Sequence, residues 1–171
     1  MPATEHSLIT ALRTLKLPAN DFVVFGSGPL LNHGIRTDIT DIDVLARGKA
    51  WVTAGLLADT VTLSPRTGTP ILAFWCGRIE ICDRWISPKY DIDAIIDGAD
   101  VVDDIRYARL DQVLRYKMDM NRPKDQADID AIRALIDKEG SGTSTMEPQG
   151  TAMPNERTDL HSAFDELSIP A

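Results

Sequence analysis

Apolar and polar positions divide the chain into short segments whose spacing predicts alternating helices and strands. The first segment, His6 to Leu17, repeats leucine and isoleucine at a spacing near 3.6 residues and is followed by Pro18. This spacing predicts an amphipathic helix that the proline ends. The apolar run Phe22 to Phe25 comes next and predicts a buried strand. We therefore expect the first helix to pack on the first strand of a sheet.

A turn rich in small residues, Gly26-Ser27-Gly28-Pro29, follows this strand. Neither a helix interior nor a strand interior tolerates such a sequence, so the chain must change direction here. Residues Pro29 to Gly34 can form a short helix, because proline is favoured in a first helical turn. The N–H groups at the start of that helix would lie beside Ser27, where a phosphate could bind. His33 follows the turn and is predicted to be a surface loop residue.

Two aspartates alternate with apolar residues in the segment Asp41 to Leu45, which predicts a second strand. Because strand side chains alternate between faces, Asp41 and Asp43 point the same way, while Ile42 and Val44 point into the core. At about 4 Å and an effective dielectric near 20, two carboxylates repel by roughly 4 kcal/mol. A cation between them would remove this repulsion, and Mg²⁺ is the first candidate because its ligands are oxygen atoms.

The middle of the chain predicts one helix and three further strands. Lys49 to Ala58 has a helical pattern, and Val61 to Leu63 has the composition of a strand or an edge segment. The segments 70–76 and 78–84 are rich in β-branched and aromatic residues and meet at Gly77. They predict an antiparallel hairpin.

The second arm of this hairpin carries one more candidate ligand. Ile79 and Ile81 face one side of the strand, so Glu80 and Cys82 face the other. Glu80 could therefore lie beside the aspartate pair. Two alternatives stay open, since Glu80 could face solvent and Asp83 could take its place.

The last third of the folded region has helical spacing with two interruptions. An acidic stretch, Asp100 to Asp104, separates the first two helices, and Gly140 is predicted to end the last one. The predicted helices are Asp91 to Gly98, Leu110 to Met118 and Lys124 to Glu139.

Length and composition predict one domain followed by a tail. The chain has 171 residues, of which 43% are hydrophobic, enough to bury one core over residues 1–139. Residues 140–171 are rich in Ser, Thr, Gly and Pro, so we expect them to be disordered and dispensable for folding. Leu160, Phe164 and Leu167 could still form a short helix against a partner protein.

Charge, hydropathy and cysteine content limit the binding partners and the cellular compartment that we expect. The net charge is −8, which argues against sequence-blind adhesion to nucleic acid, although a local basic patch could receive one polynucleotide. The chain has no apolar run near 18 residues and no signal-peptide pattern, so we expect a cytoplasmic protein without a membrane span. Cys76 and Cys82 form no CxxC pair, and reduced core thiols are expected rather than a zinc site.

Three short motifs occur in an order that is typical of one enzyme superfamily. Phe25-Gly26-Ser27 is followed after 13 residues by Asp41-Ile42-Asp43-Val44, and later by Ile79-Glu80-Ile81. This order resembles the DNA polymerase β-like nucleotidyltransferase superfamily, in its small, stand-alone bacterial form.

The last helices extend the resemblance, which covers roughly Leu8 to Glu139. Their basic and acidic residues look like the Lys…Arg-x-Lys-Asp-x-x-Asp run of the toxin-like and antibiotic-modifying nucleotidyltransferases. In this chain the run consists of Lys117, Arg122, Lys124, Asp125 and Asp128.

The resemblance implies a fold and an activity. The fold would be mixed α/β (α+β), a small, mainly antiparallel or mixed sheet with the carboxylates on one face and helices covering the other. The activity would be transfer of a nucleoside monophosphate from a nucleoside triphosphate, ATP among the candidates, to a hydroxyl acceptor. A tRNA end, a protein side chain or a small molecule such as an antibiotic would each suit as acceptor, and toxin, resistance and modification roles all stay open.

The resemblance also assigns residues to the site. Asp41, Asp43 and Glu80 would hold two Mg²⁺ ions, and Glu80 could also accept the proton of the attacking hydroxyl. The nucleotide would be bound by the turn and by basic residues of the last helices: Gly26, Ser27, Lys117, Arg122 and Lys124.

Each assignment has an alternative. Lys117, Arg122 and Lys124 could form a solvated helix face, and Asp125 and Asp128 more simply cap and solvate a helix start. A catalytically inactive module of the same fold, binding a nucleotide or a partner protein, is the alternative function.

Overall fold

The computed structural model describes residues 5–84 and 89–141 and has a mixed α/β architecture. In this part of the chain six α-helices flank a seven-stranded mixed sheet, which confirms the predicted fold class. The predicted tail, with Leu160, Phe164 and Leu167, lies outside the described residues apart from its first two positions.

All six predicted helices and all five predicted strands are present, most with ends shifted by a few residues. The helices are α1 (Ser7–Thr14), α2 (Gly28–Asn32), α3 (Gly48–Leu57), α4 (Ile92–Asp97), α5 (Leu110–Met120) and α6 (Gln126–Ser141). The strands are β1 (Phe22–Phe25), β2 (Ile42–Ala46), β3 (Thr60–Leu63), β4 (Pro70–Phe74), β5 (Ile79–Cys82), β6 (Asp100–Val102) and β7 (Ile105–Tyr107).

The sheet has the order β3-β4-β5-β2-β1-β7-β6. Four neighbouring pairs are antiparallel, including the predicted hairpin of β4 and β5. The pairs β2–β5 and β1–β7 are parallel. β2 therefore lies at the centre of the sheet, with β1 on one side and β5 on the other.

Helices cover both faces of the sheet, so the prediction that they cover only one is wrong. One core cluster joins the sheet to α1 and α3, and a second joins it to α2, α4, α5 and α6. The second cluster is required because Val23, Phe25 and Leu45 point to the same face as Asp43 and are 0% exposed. Burying each such side chain contributes about 1.5–3 kcal/mol to the stability of the fold. A sheet face exposed to water would lose this contribution.

Two strands, β6 and β7, lie in the acidic stretch that we predicted as an interruption between helices. The turn between them places Asp103 and Asp104 at φ angles of 45° and 63°, in the left-handed region. Two-residue hairpins of this kind need positive φ at both positions, and aspartate tolerates it better than most residues. The prediction overlooked the hairpin because each strand has only three residues.

The last helix begins and ends later than predicted. Residues Pro123–Asp125 form a separate 3₁₀ turn, and α6 then runs through Gly140 to Ser141. Glycine can occupy a helix at a cost of about 1 kcal/mol relative to alanine, so it does not have to end one. Before the turn, Asn121 ends α5 in a left-handed conformation with a φ of 47°.

Candidate functional site

A polar cleft with a volume of about 530 Å³ opens beside β2 and β5 on the face that α5 and α6 also cover. This volume lies within the range of known ligand pockets. The residues predicted for the site all line the cleft: Gly26, Ser27, Asp41, Asp43, Glu80, Lys117, Arg122 and Lys124.

Parallel pairing of β2 with β5 brings two carboxylates together. Asp43 lies directly opposite Glu80 in the register of these strands, and neighbouring strands are about 4.8 Å apart. Asp41 precedes β2 by one residue and is exposed at the mouth of the same cleft. Asp83, the alternative to Glu80, lines a different cavity with Trp51. The structure thus places Glu80, rather than Asp83, beside the aspartate pair.

Burial and neighbouring carboxylates raise the proton affinity of Asp43 and Glu80. Burial, with the charges of Asp41 and Glu80, raises the pKa of Asp43 to about 6, against the smaller effects of Arg122 and Lys117. Burial and the charge of Asp41 also raise the pKa of Glu80. Like charges gathered at a partly buried site are costly unless a cation joins them. This electrostatic pattern fits the predicted binding of Mg²⁺.

The donor set also suits Mg²⁺, because the three candidate ligands are carboxylates. In the part of the chain that the structure describes, however, no three His, Cys, Asp or Glu side chains are grouped closely enough to form a metal site as they stand. Asp41 is the exposed member of the trio. Its side chain would have to turn toward Asp43 and Glu80 to complete the site.

Gly26 allows the turn after β1 to approach Asp43 closely. Its φ is +62°, and a Cβ atom at this position would lie 2.3 Å from Oδ2 of Asp43. Any side chain would therefore be strained and would also displace the carboxylate. The turn and the carboxylate fit together only because residue 26 is glycine.

Replacing Gly26 with alanine is expected to destabilise the protein more than the same change at Gly68. Gly68 has a similar φ of +68° but no atom within 4 Å of its Cβ position, so Gly68→Ala isolates the backbone cost, about 1 kcal/mol. Gly26→Ala adds the contact with Asp43 and should cost about 1–2 kcal/mol more. Urea denaturation of both variants measures the difference, and equal losses would contradict the close contact.

A buried ion-pair network forms the floor of the cleft. Lys117, which is 3% exposed, donates to Asp125 at 2.9 Å and forms an ion pair with Asp128 at 2.8 Å. Arg36 binds both oxygens of Asp128, at 2.8 and 2.9 Å. Arg122 donates to the second oxygen of Asp125. Three cations therefore share two carboxylates, which leaves one net positive charge.

This network corrects two alternatives from the sequence. Lys117 does not lie on a solvated helix face, and Asp125 and Asp128, at 2% and 4% exposure, do not solvate a helix start. Burial raises the pKa of each aspartate, but hydrogen bonds from Lys117 and the arginines outweigh it and hold both pKa values below the ordinary range. The aspartates are therefore ionised at neutral pH and bind the three basic groups.

Three other basic residues, Lys124, Arg115 and His33, lie outside the buried ion-pair network. Lys124 is exposed in the 3₁₀ turn and lines the cleft. Arg115, on α5, has its guanidinium group 5.5 Å from the centre of the Tyr90 ring. His33 is exposed at the end of α2, as predicted.

Sequence reasoning missed Arg36 and the β3–β4 connection. Arg36 lies in a loop, and nothing in the sequence around it indicates its pairing with Asp128, which is far away in the chain. The β3–β4 connection forms another wall of the cleft, where it contributes hydroxyl groups from Ser64, Thr67 and Thr69. The cluster of Ser, Thr and Gly in this loop was the available signal.

Comparisons with known proteins add no relative: no family model matches the chain, and no curated protein or solved structure matches it. Within residues 5–84 and 89–141, no helix is both long and apolar enough to cross a lipid bilayer.

Proposed function

We propose that the protein is a Mg²⁺-dependent nucleotidyltransferase that moves a nucleoside monophosphate from a nucleoside triphosphate to a hydroxyl acceptor. The observation that carries this proposal is the parallel pairing of β2 with β5. It places Asp43 opposite Glu80, with Asp41 at the mouth of the same cleft and the Gly26 turn against Asp43.

Asp41, Asp43 and Glu80 would hold the metal, and when bound it would polarise the triphosphate and lower the pKa of the acceptor hydroxyl. The raised pKa of Glu80 also suits it to accept the proton of the attacking hydroxyl. Because Asp43 and Glu80 are fixed on neighbouring strands, their carboxylates require little reorganisation before reaction.

The basic residues of the cleft would receive the triphosphate. Arg36 and Arg122 are each oriented by a buried aspartate, and Lys124 is exposed beside them. Guanidinium groups held in this way suit phosphate oxygens, since they can donate two hydrogen bonds at once. The ammonium group of Lys117 is already paired with two carboxylates, so we assign it to positioning the arginines. Ser27 and the backbone N–H groups of its turn would bind the remaining phosphate oxygens.

A nucleotide-binding module without catalysis is the second candidate function. The observation that favours it is that the described Asp, Glu, His and Cys residues form no ready-made metal group. Such a module would use the same arginines and the same turn. It would release no pyrophosphate.

The test is incubation with each labelled nucleoside triphosphate and Mg²⁺, with total tRNA, protein or small hydroxyl compounds as acceptors. We expect pyrophosphate release together with transfer of the label in one acceptor class, and loss of both in Glu80→Gln. Nucleotide binding without release would favour the second candidate. An absence of binding for all four nucleotides would contradict both.

A further inference from the structure

Tyr116 on α5 contacts the residue that leads into the Gly26-Ser27 turn. Its side chain is 5% exposed and lines the cleft. Its ring meets the ring of Phe25 edge-on, with 5.3 Å between the two ring centres. Phe25 is the last residue of β1 and directly precedes the turn. Tyr116 is therefore packed against the base of one of the two elements that we assign to the triphosphate.

The same ring contacts the other element, Arg122. The central carbon of the guanidinium group lies 5.9 Å from the centre of the Tyr116 ring, within the range of a cation–π interaction. Asp125 accepts a hydrogen bond from Nε of the same guanidinium group, and this bond does not involve the two terminal nitrogens. Arg122 is thus held by a carboxylate and by a ring, while its side chain, 33% exposed, lines the cleft.

A second aromatic ring restrains Tyr116 itself. The ring of Tyr90 lies edge-to-face with that of Tyr116, at 6.4 Å between centres. Tyr90 is 6% exposed, and its hydroxyl group donates to Asp119. Edge-to-face contacts favour one relative orientation of the two rings. Contacts with Phe25 and Tyr90 therefore leave the Tyr116 ring little freedom to turn, so it can hold a neighbouring cation in one place.

The Tyr116 side chain is also uncharged at neutral pH. Burial, followed by the charge of Asp43, raises the pKa of Tyr116 to about 12. A neutral aromatic ring presents a negative face to a nearby cation. A ring also restrains a guanidinium group without occupying its N–H donors, which phosphate oxygens require.

We propose that Tyr116 is a positioning residue for the triphosphate: its ring fixes Arg122 relative to the Gly26-Ser27 turn, so that both bind the same polyphosphate chain. This inference rests on the proposed function, which assigns the turn and Arg122 to the triphosphate. Tyr116 acts through Arg122 and contacts neither the base nor the phosphates.

Calorimetric titration of the full chain with two ligands tests this role. The ligands are inorganic tripolyphosphate and the nucleoside triphosphate that binds best, each with Mg²⁺. We expect Tyr116→Leu to weaken both by the same factor, about 3-fold to 30-fold, because a cation–π contact of ordinary strength is lost. Tyr116→Phe should bind like the parent, since the ring remains. A trifluorinated phenylalanine at this position keeps the shape but weakens the negative ring face, so it should reproduce most of the loss in a normally folded protein.

Tyr107→Leu is the matched control, since Tyr107 is a tyrosine with 0% exposure in the other core cluster. It should lose stability as Tyr116→Leu does and keep its affinity for both ligands. Circular dichroism should show that every variant is folded at the temperature of the titration. Arg122→Met should weaken tripolyphosphate binding, and adding Tyr116→Leu to it should weaken binding no further, because the ring acts through Arg122.

Four results would overturn the positioning role while the parent still binds both ligands. The first is unchanged affinity in Tyr116→Leu and in the fluorinated variant. The second is a loss for the nucleotide but not for tripolyphosphate, which would make Tyr116 a contact of the base. The third is an equal loss in Tyr116→Phe or in Tyr107→Leu. The fourth is a further loss when Tyr116→Leu is added to Arg122→Met. A parent that binds neither ligand would overturn the proposed function together with this inference.

Discussion

Replacing Asp43 with asparagine is expected to lower nucleotidyl transfer by about 100-fold to 1,000-fold or more, while making the metal-free protein more stable at neutral pH. The proposed activity falls because one of the carboxylates assigned to the metal is lost. The stability rises because the same carboxylate lies partly buried beside Asp41 and Glu80, whose charges repel it in the absence of a cation. A residue that only supported the fold would give the opposite change in stability.

The gain in stability should depend on pH in a defined direction. The pKa of Asp43 is about 6 in the folded protein, above its ordinary value of 3.8, so the folded state holds the proton more tightly than the unfolded state. The parent therefore loses stability as pH rises from about 4 to about 6, whereas Asp43→Asn does not titrate at this position. The variant should match the parent near pH 4 and exceed it by roughly 1–3 kcal/mol at pH 7.

Urea denaturation in the presence of a chelator, at both pH values, measures this difference. Asp100→Asn is the control, because Asp100 is an exposed aspartate on an edge strand. Mg²⁺ with a triphosphate should raise the melting temperature of the parent and barely change that of Asp43→Asn, since a ligand stabilises only the protein that binds it. A variant that is clearly less stable in chelator and still binds metal would rule out the metal-binding role.

Replacing Lys117 with methionine is expected to destabilise the protein by about 3 kcal/mol or more. The change leaves Asp125 and Asp128 buried with one cation fewer, although Arg122 and Arg36 still bind them. For a domain of this size, such a loss is a large part of the total free energy of unfolding. Lys124→Met, in the exposed neighbouring turn, should change stability by less than about 0.5 kcal/mol.

A combined variant separates this role from direct binding of the triphosphate. Lys117→Met together with Asp125→Asn removes one cation and one carboxylate, so the network keeps its net charge and Asp128 stays paired with Arg36, and this variant should be less destabilised than Lys117→Met alone. Chemical denaturation and nucleotide titration of the same samples give the two readouts. If Lys117→Met retained full stability but lost triphosphate affinity, Lys117 would be a phosphate ligand and the positioning role would be wrong.

Local patterns in the sequence predicted the strands that carry the carboxylates. Alternation of apolar and acidic residues is enough to place Asp43 on one face of β2 and Glu80 on the matching face of β5, whereas Asp41 lies just before β2 instead of within it. The turn at Gly26 was also predicted, but its contact with Asp43 was not, because Asp43 lies on a different strand.

Features that depend on contacts between distant segments could not be predicted in this way. Arg36 and Asp128 are 92 positions apart, and no local spacing relates them. Burial of Lys117 has the same origin, since a lysine on an amphipathic helix looks solvated until its two carboxylate partners are known. The pairing of β1 with β2 places Val23, Phe25 and Leu45 on one side of the sheet. Helices must cover that side to bury these residues, and this need is visible only once the pairing is known.

The parallel pairing of β2 with β5 also affects how the protein acquires its site during folding. β4 and β5 can associate early as a hairpin, because a short turn connects them. β5 reaches β2 only after the intervening helix and two strands have been placed, and closing such a long segment costs entropy that is recovered late. We therefore expect Asp43 and Glu80 to come together later in folding than the β4–β5 hairpin. Partly folded chains would then lack the pair of carboxylates that we propose as metal ligands.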